Sequence, residues 1–270
     1  MRGAQKAITV AIYDYDITVD IAGTKDISLV DVIGFPVFSI WFSYCNFRCP
    51  WCQNWPVVIG REVRRIKIMD LVDEIKNNSS FVDFVHVTGG EPTVQPEPLR
   101  VLFLAVKNEL GLKNSLNTNG FNYEVIEKLV RENLIDHVAM DVKAPLSKPE
   151  LYAKVVGLNN GSEIVSRVTK SVKIVLDHIG FTEFRTTYIP LLNMDDLVLI
   201  AQELKELGCG DECHYIIQQF VPNQNAPNPE YRTGDILPVD KLIAIAKYVR
   251  RKTGLKKIYV RSLEEGLTPI

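Results

Sequence analysis

The sequence lacks any run of 18 apolar residues and so offers no helical membrane span. It also lacks a strong charge of either sign. Its 31 Lys and Arg stand against 33 Asp and Glu, a net −2, which gives no global attraction to nucleic acid or an anionic membrane. No signal-peptide pattern is present, because Asp14, Asp16 and Asp20 interrupt the first apolar stretch. Cysteines number only five, an odd count and clustered, which is not a secreted disulfide framework. Free thiols imply a reducing, cytoplasmic setting. Internal repeats and disordered linkers are absent. What remains is a 46% hydrophobic chain of 270 residues, enough for one large α/β barrel or two smaller domains.

Three of the cysteines stand in Cys45-Asn46-Phe47-Arg48-Cys49-Pro50-Trp51-Cys52, a C-x3-C-x2-C run with an aromatic residue before the last thiol. Closely spaced thiols can hold a metal cluster. A cubane [4Fe–4S] cluster normally takes four cysteines. With three from the protein, one iron keeps an open position, which separates catalytic from structural sites in zinc proteins and extends to iron. Two plainer readings stand beside this one. A zinc site would need a fourth Cys or His, and Cys209 and Cys213 come more than 150 residues later; His86 would have to be brought in by the fold. Alternatively, the three are core thiols, as Cys209 and Cys213 are expected to be, in a helix-to-strand corner.

Short apolar runs at 37–42, 84–87, 115–118, 137–142, 184–189 and 215–221 read as strands. Helix-period segments alternate with them, at 69–76, 99–110, behind Asn122, at 164–176, at 197–207 with Asp195 or Asp196 near the cap, and at 242–249. Six βα repeats argue for a parallel sheet covered by helices. Residues 1–25 alternate around Ile8, Val10 and Ile12 and read as a separate β-like extension. The main domain is expected over 26–262, with a tail at 263–270. Pro- and Asn-rich 222–229 reads as a surface connection, or else a lid.

Ligands in parallel α/β folds sit at the carboxyl ends of the strands, and the unusual residues cluster there. The cysteine loop follows the first strand. Thr88-Gly89-Gly90-Glu91-Pro92 follows the second, and Asn117-Thr118-Asn119-Gly120 the third. Asp141-Val142-Lys143 ends the fourth, Arg185 lies on the fifth, and Gln218-Gln219-Phe220 closes the sixth. In Gly89-Gly90-Glu91-Pro92 two glycines allow close backbone approach to a ligand, with carbonyls that accept from an ammonium. Glu91 adds a charge to hold that ammonium or the turn; a plain turn is the other reading.

The C-x3-C-x2-C run and the following glycine turn resemble the radical S-adenosylmethionine (SAM) enzymes over about residues 25–222. Residues 27–52, TGGEP, LNTNG, MDVKAP and FRTTYIP resemble the glycyl-radical-enzyme activases, in particular the anaerobic ribonucleoside-triphosphate reductase activating proteins. The resemblance implies a partial (βα)6 barrel with a short N-terminal β extension. It implies a [4Fe–4S] cluster on Cys45, Cys49 and Cys52, with SAM on the open iron. Trp51 would pack beside the adenine, with Gly89, Gly90 and Glu91 at the SAM amino group. Thr118, Asn119, Asp141 and Lys143 would line the ribose and methionine end. Lys143 and Arg185 would face the SAM carboxylate or the partner's glycine loop, or form structural ion pairs. The implied activity is cleavage of SAM to a 5′-deoxyadenosyl radical that takes hydrogen from a glycine of a partner glycyl radical enzyme, in an anaerobic setting.

Two departures bear on this. Asn117 replaces the Asp of the related D-T-N-G pattern, which puts a monovalent-cation site in doubt, and Gln219-Phe220 stands where related activases carry a His. No cysteine lies between Cys52 and Gly89, so one cluster is expected, reduced by a separate flavodoxin or ferredoxin. A tRNA, peptide or small-molecule substrate is the alternative. A nucleic acid would require the basic runs at 61–67 and 250–257 to share a face with the site. A zinc-binding module without enzymatic activity is the remote alternative.

Overall fold

The structure, a computed structural model, describes residues 17–270; the alternation around Ile8, Val10 and Ile12 lies outside the described residues. The described residues open with β1 (Thr18–Val32), which pairs antiparallel with β2 (Phe35–Phe42). After the cysteine loop come α1 (Trp55–Val58), β3 (Arg64–Lys67) and α2 (Ile68–Lys76). Next are β4 (Phe84–Gly89), α3 (Pro96–Ala105), β5 (Lys113–Thr118), α4 (Tyr123–Arg131) and β6 (His137–Asp141). Helices α5 (Pro149–Val156) and α6 (Gly161–His178) lead to β7 (Thr182–Tyr188), α7 (Met194–Glu206) and β8 (His214–Gln219). The chain closes with α8 (Val239–Thr253), β9 (Ile258–Ser262) and β10 (Gly266–Pro269).

One open sheet holds every strand of the described residues, in the order β10-β9-β8-β7-β6-β5-β4-β2-β1-β3. The run from β2 through β8 is the six-strand parallel set expected from the βα pattern. A seventh parallel strand, β9, pairs with β8; Tyr259 and Arg261 between apolar neighbours hid it inside a basic stretch. The 25/26 boundary falls in the middle of β1, so residues 18–25 of the expected extension share one sheet with the rest of the described strands. The 263–270 tail supplies β10.

The helices bury one apolar face each, as their spacing predicts. Leu71, Val72 and Ile75 of α2, Ile126 and Leu129 of α4, and Ile164, Val168, Val172 and Val175 of α6 enter a common core. Asp195 and Asp196 do stand in the first turn of α7, whose cap is Asn193: its side chain accepts from the Asp196 N–H, and the Asn193 N–H donates to the Asp196 carboxylate. Cys209 and Cys213 do lie buried between α7 and β8, but they are bonded to each other, Cα atoms 5.3 Å apart. The expectation of free thiols there is corrected; the intervening tight turn brings the two side chains together. The 222–229 connection packs on the cysteine loop, with the Asn228 N–H donating to the Pro50 carbonyl at 3.1 Å and Ala226 fully buried.

The inner face of the sheet is polar below its carboxyl end. Alternation places His86, Ser115, His137, Glu183 and Arg185 on one face, where a closed barrel of this type carries branched aliphatics. The Ser115 hydroxyl lies 2.7 Å from Nδ1 of both His86 and His137. Arg185 binds Glu183 through Nε at 2.9 Å, and its other arm reaches the Asp31 carbonyl at the end of β1. Glu183 in turn accepts from the Ile33 N–H at 2.9 Å. These bonds tie the β1–β2 hairpin across to β7. Arg185 therefore forms the structural ion pair that was one of its two readings, and it is not among the residues lining the cavity at the strand ends.

Burial holds the His86 imidazole down at about 3, against an ordinary value of about 6.5. Below about pH 6.5 the unfolded chain takes a proton that the fold refuses, so this residue costs stability progressively as pH falls toward 3. The urea midpoint should drop from about pH 7 to about pH 5, and His86→Gln should show a smaller drop than wild type.

Candidate active site

The carboxyl ends of the parallel strands surround one cavity of about 280 Å³. Cys45, Cys49, Cys52 and Trp51, the Gly89–Glu91 turn, Thr118 and Asn119, and Asp141 and Lys143 all line it. Every expected site residue except Arg185 thus converges on one space. Thr88, Asn117, Thr187 and Gln218 join them.

The cysteine loop is held from three sides. On the first, the Gly90 N–H donates to the Phe42 carbonyl at 2.9 Å and the Glu91 N–H to the Tyr44 carbonyl at 2.8 Å. This close stacking is why glycines are needed. Gly89 has φ +119°, and a Cβ on Gly90 would overlap the Tyr44 carbonyl oxygen. On the second, the Trp51 indole donates to the Val155 carbonyl at 2.9 Å and the Arg48 N–H to the Val156 carbonyl at 2.9 Å, both at the end of α5. Gly157, at φ +69°, lets that helix end approach Arg48. On the third, the Asn119 amide donates to Asn46 Oδ1 at 2.7 Å and lies 3.8 Å from the Cys45 sulfur. Asn46 is a contact that sequence reading missed; its position inside the cysteine run was the only signal.

Glu91 is fully buried and serves the turn. Its Oε1 accepts from the Thr93 N–H at 3.1 Å, the Thr93 hydroxyl at 2.6 Å and the Thr118 hydroxyl at 2.8 Å. Its Oε2 accepts from the Asn119 N–H at 2.7 Å. Burial still outweighs these bonds and lifts its carboxyl above the ordinary range. The Thr118 hydroxyl is committed to the same carboxylate, so both residues shape the cavity rather than reach into it. Asn122, at the start of α4, sends its amide to Thr93 and adds a further tie.

The charged pair is Lys143 with Asp141, 2.8 Å apart. Burial opposes the lysine charge, but the charge and hydrogen bond of Asp141 hold the ammonium above the usual lysine range. Lys143 also lies 5.2 Å over the Trp51 ring. Burial pushes the Cys45 and Cys49 thiols up to about 12. Such thiols stay protonated in neutral water and become thiolates when a bound metal displaces the proton, which is released to solvent.

The donor set suits a cluster better than a single ion. Among the described residues, no three of His, Cys, Asp and Glu form the shell of one ion, as zinc requires. His86 is bound to Ser115 below the cavity. A cluster instead gives each thiol its own iron. One buried polar atom of a cavity-lining residue, Asn117 Oδ1, has no partner among the described residues, and a polar group bound in the cavity would satisfy it.

Gly90→Ala should separate the glycine turn from the cysteine loop. Overpacking of this kind costs about 1–3 kcal/mol, measurable as a lower denaturation midpoint together with reduced iron content after reconstitution.

The sequence matches the profile of the Radical SAM superfamily over residues 39–204, more than half of the chain. A Methanocaldococcus jannaschii protein that carries the name "Putative glycyl-radical enzyme activating enzyme" is 30% identical over 222 residues, covering 82% of this chain and 86% of that one. A 7-carboxy-7-deazaguanine synthase of Aquifex aeolicus is 33% identical over 90 residues, 33% of this chain and 38% of the other. Among solved structures, the FeFe-hydrogenase maturase HydG from Carboxydothermus hydrogenoformans superposes with a TM-score of 0.59 at 17% identity. That likeness covers 82% of this chain and 52% of the maturase, and it speaks for the fold. Fold, site and sequence agree that this chain belongs to the radical SAM superfamily.

Proposed function

We propose that this protein activates a glycyl radical enzyme, taking a hydrogen atom from one glycine of that partner. Membership of the superfamily implies a [4Fe–4S] cluster and SAM. When bound, they supply the chemistry: one electron splits SAM into methionine and a 5′-deoxyadenosyl radical, which removes a hydrogen atom from a C–H bond. The observation that carries the reading is the convergence of three thiols, the glycine turn, and the ends of β5 and β6 on one cavity.

Cys45, Cys49 and Cys52 hold the cluster, leaving one iron open. Trp51, fixed through its indole N–H, packs beside the adenine. The carbonyls of Gly89 and Gly90 accept from the SAM ammonium, while Glu91 fixes the turn that presents them. Asp141 and Lys143 line the ribose and methionine end, and Lys143 offers a cation to the carboxylate. Thr118 and Asn119 hold that wall in place. The site lies within strand ends and loops that exclude water, which a reactive radical requires. An outside flavodoxin or ferredoxin supplies the electron, because the chain has no cysteine between Cys52 and Gly89.

The glycine substrate is supported by the named relative and by the motif likeness at residues 27–52. The basic runs do not favour nucleic acid. Arg64 pairs with Glu74 and Arg65 with Asp20 at the site end of the sheet. Lys256 and Lys257 pair with Asp211 and Glu212 before β9, at the opposite end. Among the described residues no helix is long and apolar enough to cross a membrane.

Cys49→Ala should reduce 5′-deoxyadenosine formation to background, and product made by that variant would sink the cluster assignment. Asn119→Ala should lower cluster loading or activity by about 10–100-fold, the usual cost of losing a group that orients a metal ligand. With a glycyl radical enzyme as partner, an organic radical signal should persist on that partner after SAM is consumed.

A further inference from the structure

Arg261 is left unused by the reaction above. It lies on β9 level with Gln218 of β8, which is level with Thr187 of β7. Residues level across parallel strands share a face, and Thr187 and Gln218 line the cavity. Arg261 is the next residue in this row beyond the cavity-lining ones, one strand from β10 at the edge of the described sheet.

The side chain is only partly exposed. Among the described residues, no hydrogen bond or ion pair engages its guanidinium. Burial, with the Arg185 charge added, brings it down to about 10. The nearby acids are committed elsewhere: Glu183 to Arg185, Asp31 to Ser39, and Asp141 to Lys143. A desolvated cation without a partner lowers stability, so the fold has no use of its own for this charge.

We propose that Arg261 receives an oxyanion of the hydrogen donor, a carboxylate or a phosphate, and thereby sets which C–H bond enters the cavity. The planar guanidinium fork matches either group with two parallel N–H bonds. The inference rests on the hydrogen-abstraction reading of the cavity. With a glycine donor, an acidic group beside that glycine is the natural occupant.

The test uses anaerobic holoenzyme with SAM, heated in chloride, acetate or phosphate at matched ionic strength. One of the two oxyanions should raise the wild-type Tm by about 2–4 °C over chloride. Phosphate also stabilises proteins by exclusion from their surface, so the part lost in Arg261→Met is what counts. Arg261→Met should lose the specific rise, and its Tm in chloride should equal or exceed that of wild type. Arg261→Lys, a cation without the fork, should keep a smaller rise. A larger effect of acetate assigns a carboxylate, and a larger effect of phosphate assigns a phosphate.

A lower Tm in chloride or failure to fold in Arg261→Met would make the residue a structural cation and overturn the proposal. So would a rise that persists in Arg261→Met, or no rise in wild type. The hydrogen-abstraction reading fails on a different result, wild-type holoenzyme that makes no 5′-deoxyadenosine, and that result leaves the anion comparison readable.

Discussion

The buried carboxylate of Glu91 is the constraint on which the site depends. A carboxylate without access to water is tolerated only when hydrogen-bonded, and Glu91 takes four donors from Thr93, Thr118 and Asn119. Those donors lie on two strand ends, so one side chain fixes the distance between the glycine turn and the end of β5. The backbone of the same turn is stitched to Phe42 and Tyr44. Through these bonds β2, β4 and β5 present the cysteine loop, the glycine carbonyls and Asn119 in one arrangement. The thiols thus wait in a prepared, partly dry setting.

Below this layer the sheet does not fill itself with aliphatic side chains. Ser115 bridges two neutral histidines, and Arg185 joins Glu183 to the β1–β2 hairpin. The hairpin thereby gains a purpose that its sequence does not display, tying the first strands of the sheet across to β7. Polar groups of both signs make this floor rigid when satisfied and sensitive to protonation when not. Arg261 breaks the pattern of engagement: it shares the cavity-facing row with Thr187 and Gln218, yet no hydrogen bond or ion pair among the described residues engages it.

Much of this was legible because the chemistry needs special residues at fixed places. The thiol spacing, the paired glycines and the Asn-Gly and Asp-x-Lys strand ends stand out against apolar strands, and the βα rhythm orders them around one rim. Arg185 stayed open between two readings because a basic residue near a strand end reads alike whether it faces a ligand or a buried acid; Glu183 two residues earlier supplies that acid, and alternation alone does not say that the two side chains meet. The strand β9 was hidden by Tyr259 and Arg261 alternating with its apolar residues, and Asn46 by lying inside a louder motif. The Cys209–Cys213 bond was missed because the thiol count was read through compartment rather than through the tight turn between them.

The central claim is that three cysteines hold a cluster with one iron open to SAM. Its most direct test is low-temperature EPR of the anaerobically purified, reduced protein, with and without SAM, alongside iron and sulfide analysis. The account predicts about four irons per chain and a reduced-cluster signal that changes when SAM is added. Zinc in place of iron, or a cluster signal that ignores saturating SAM, would contradict it.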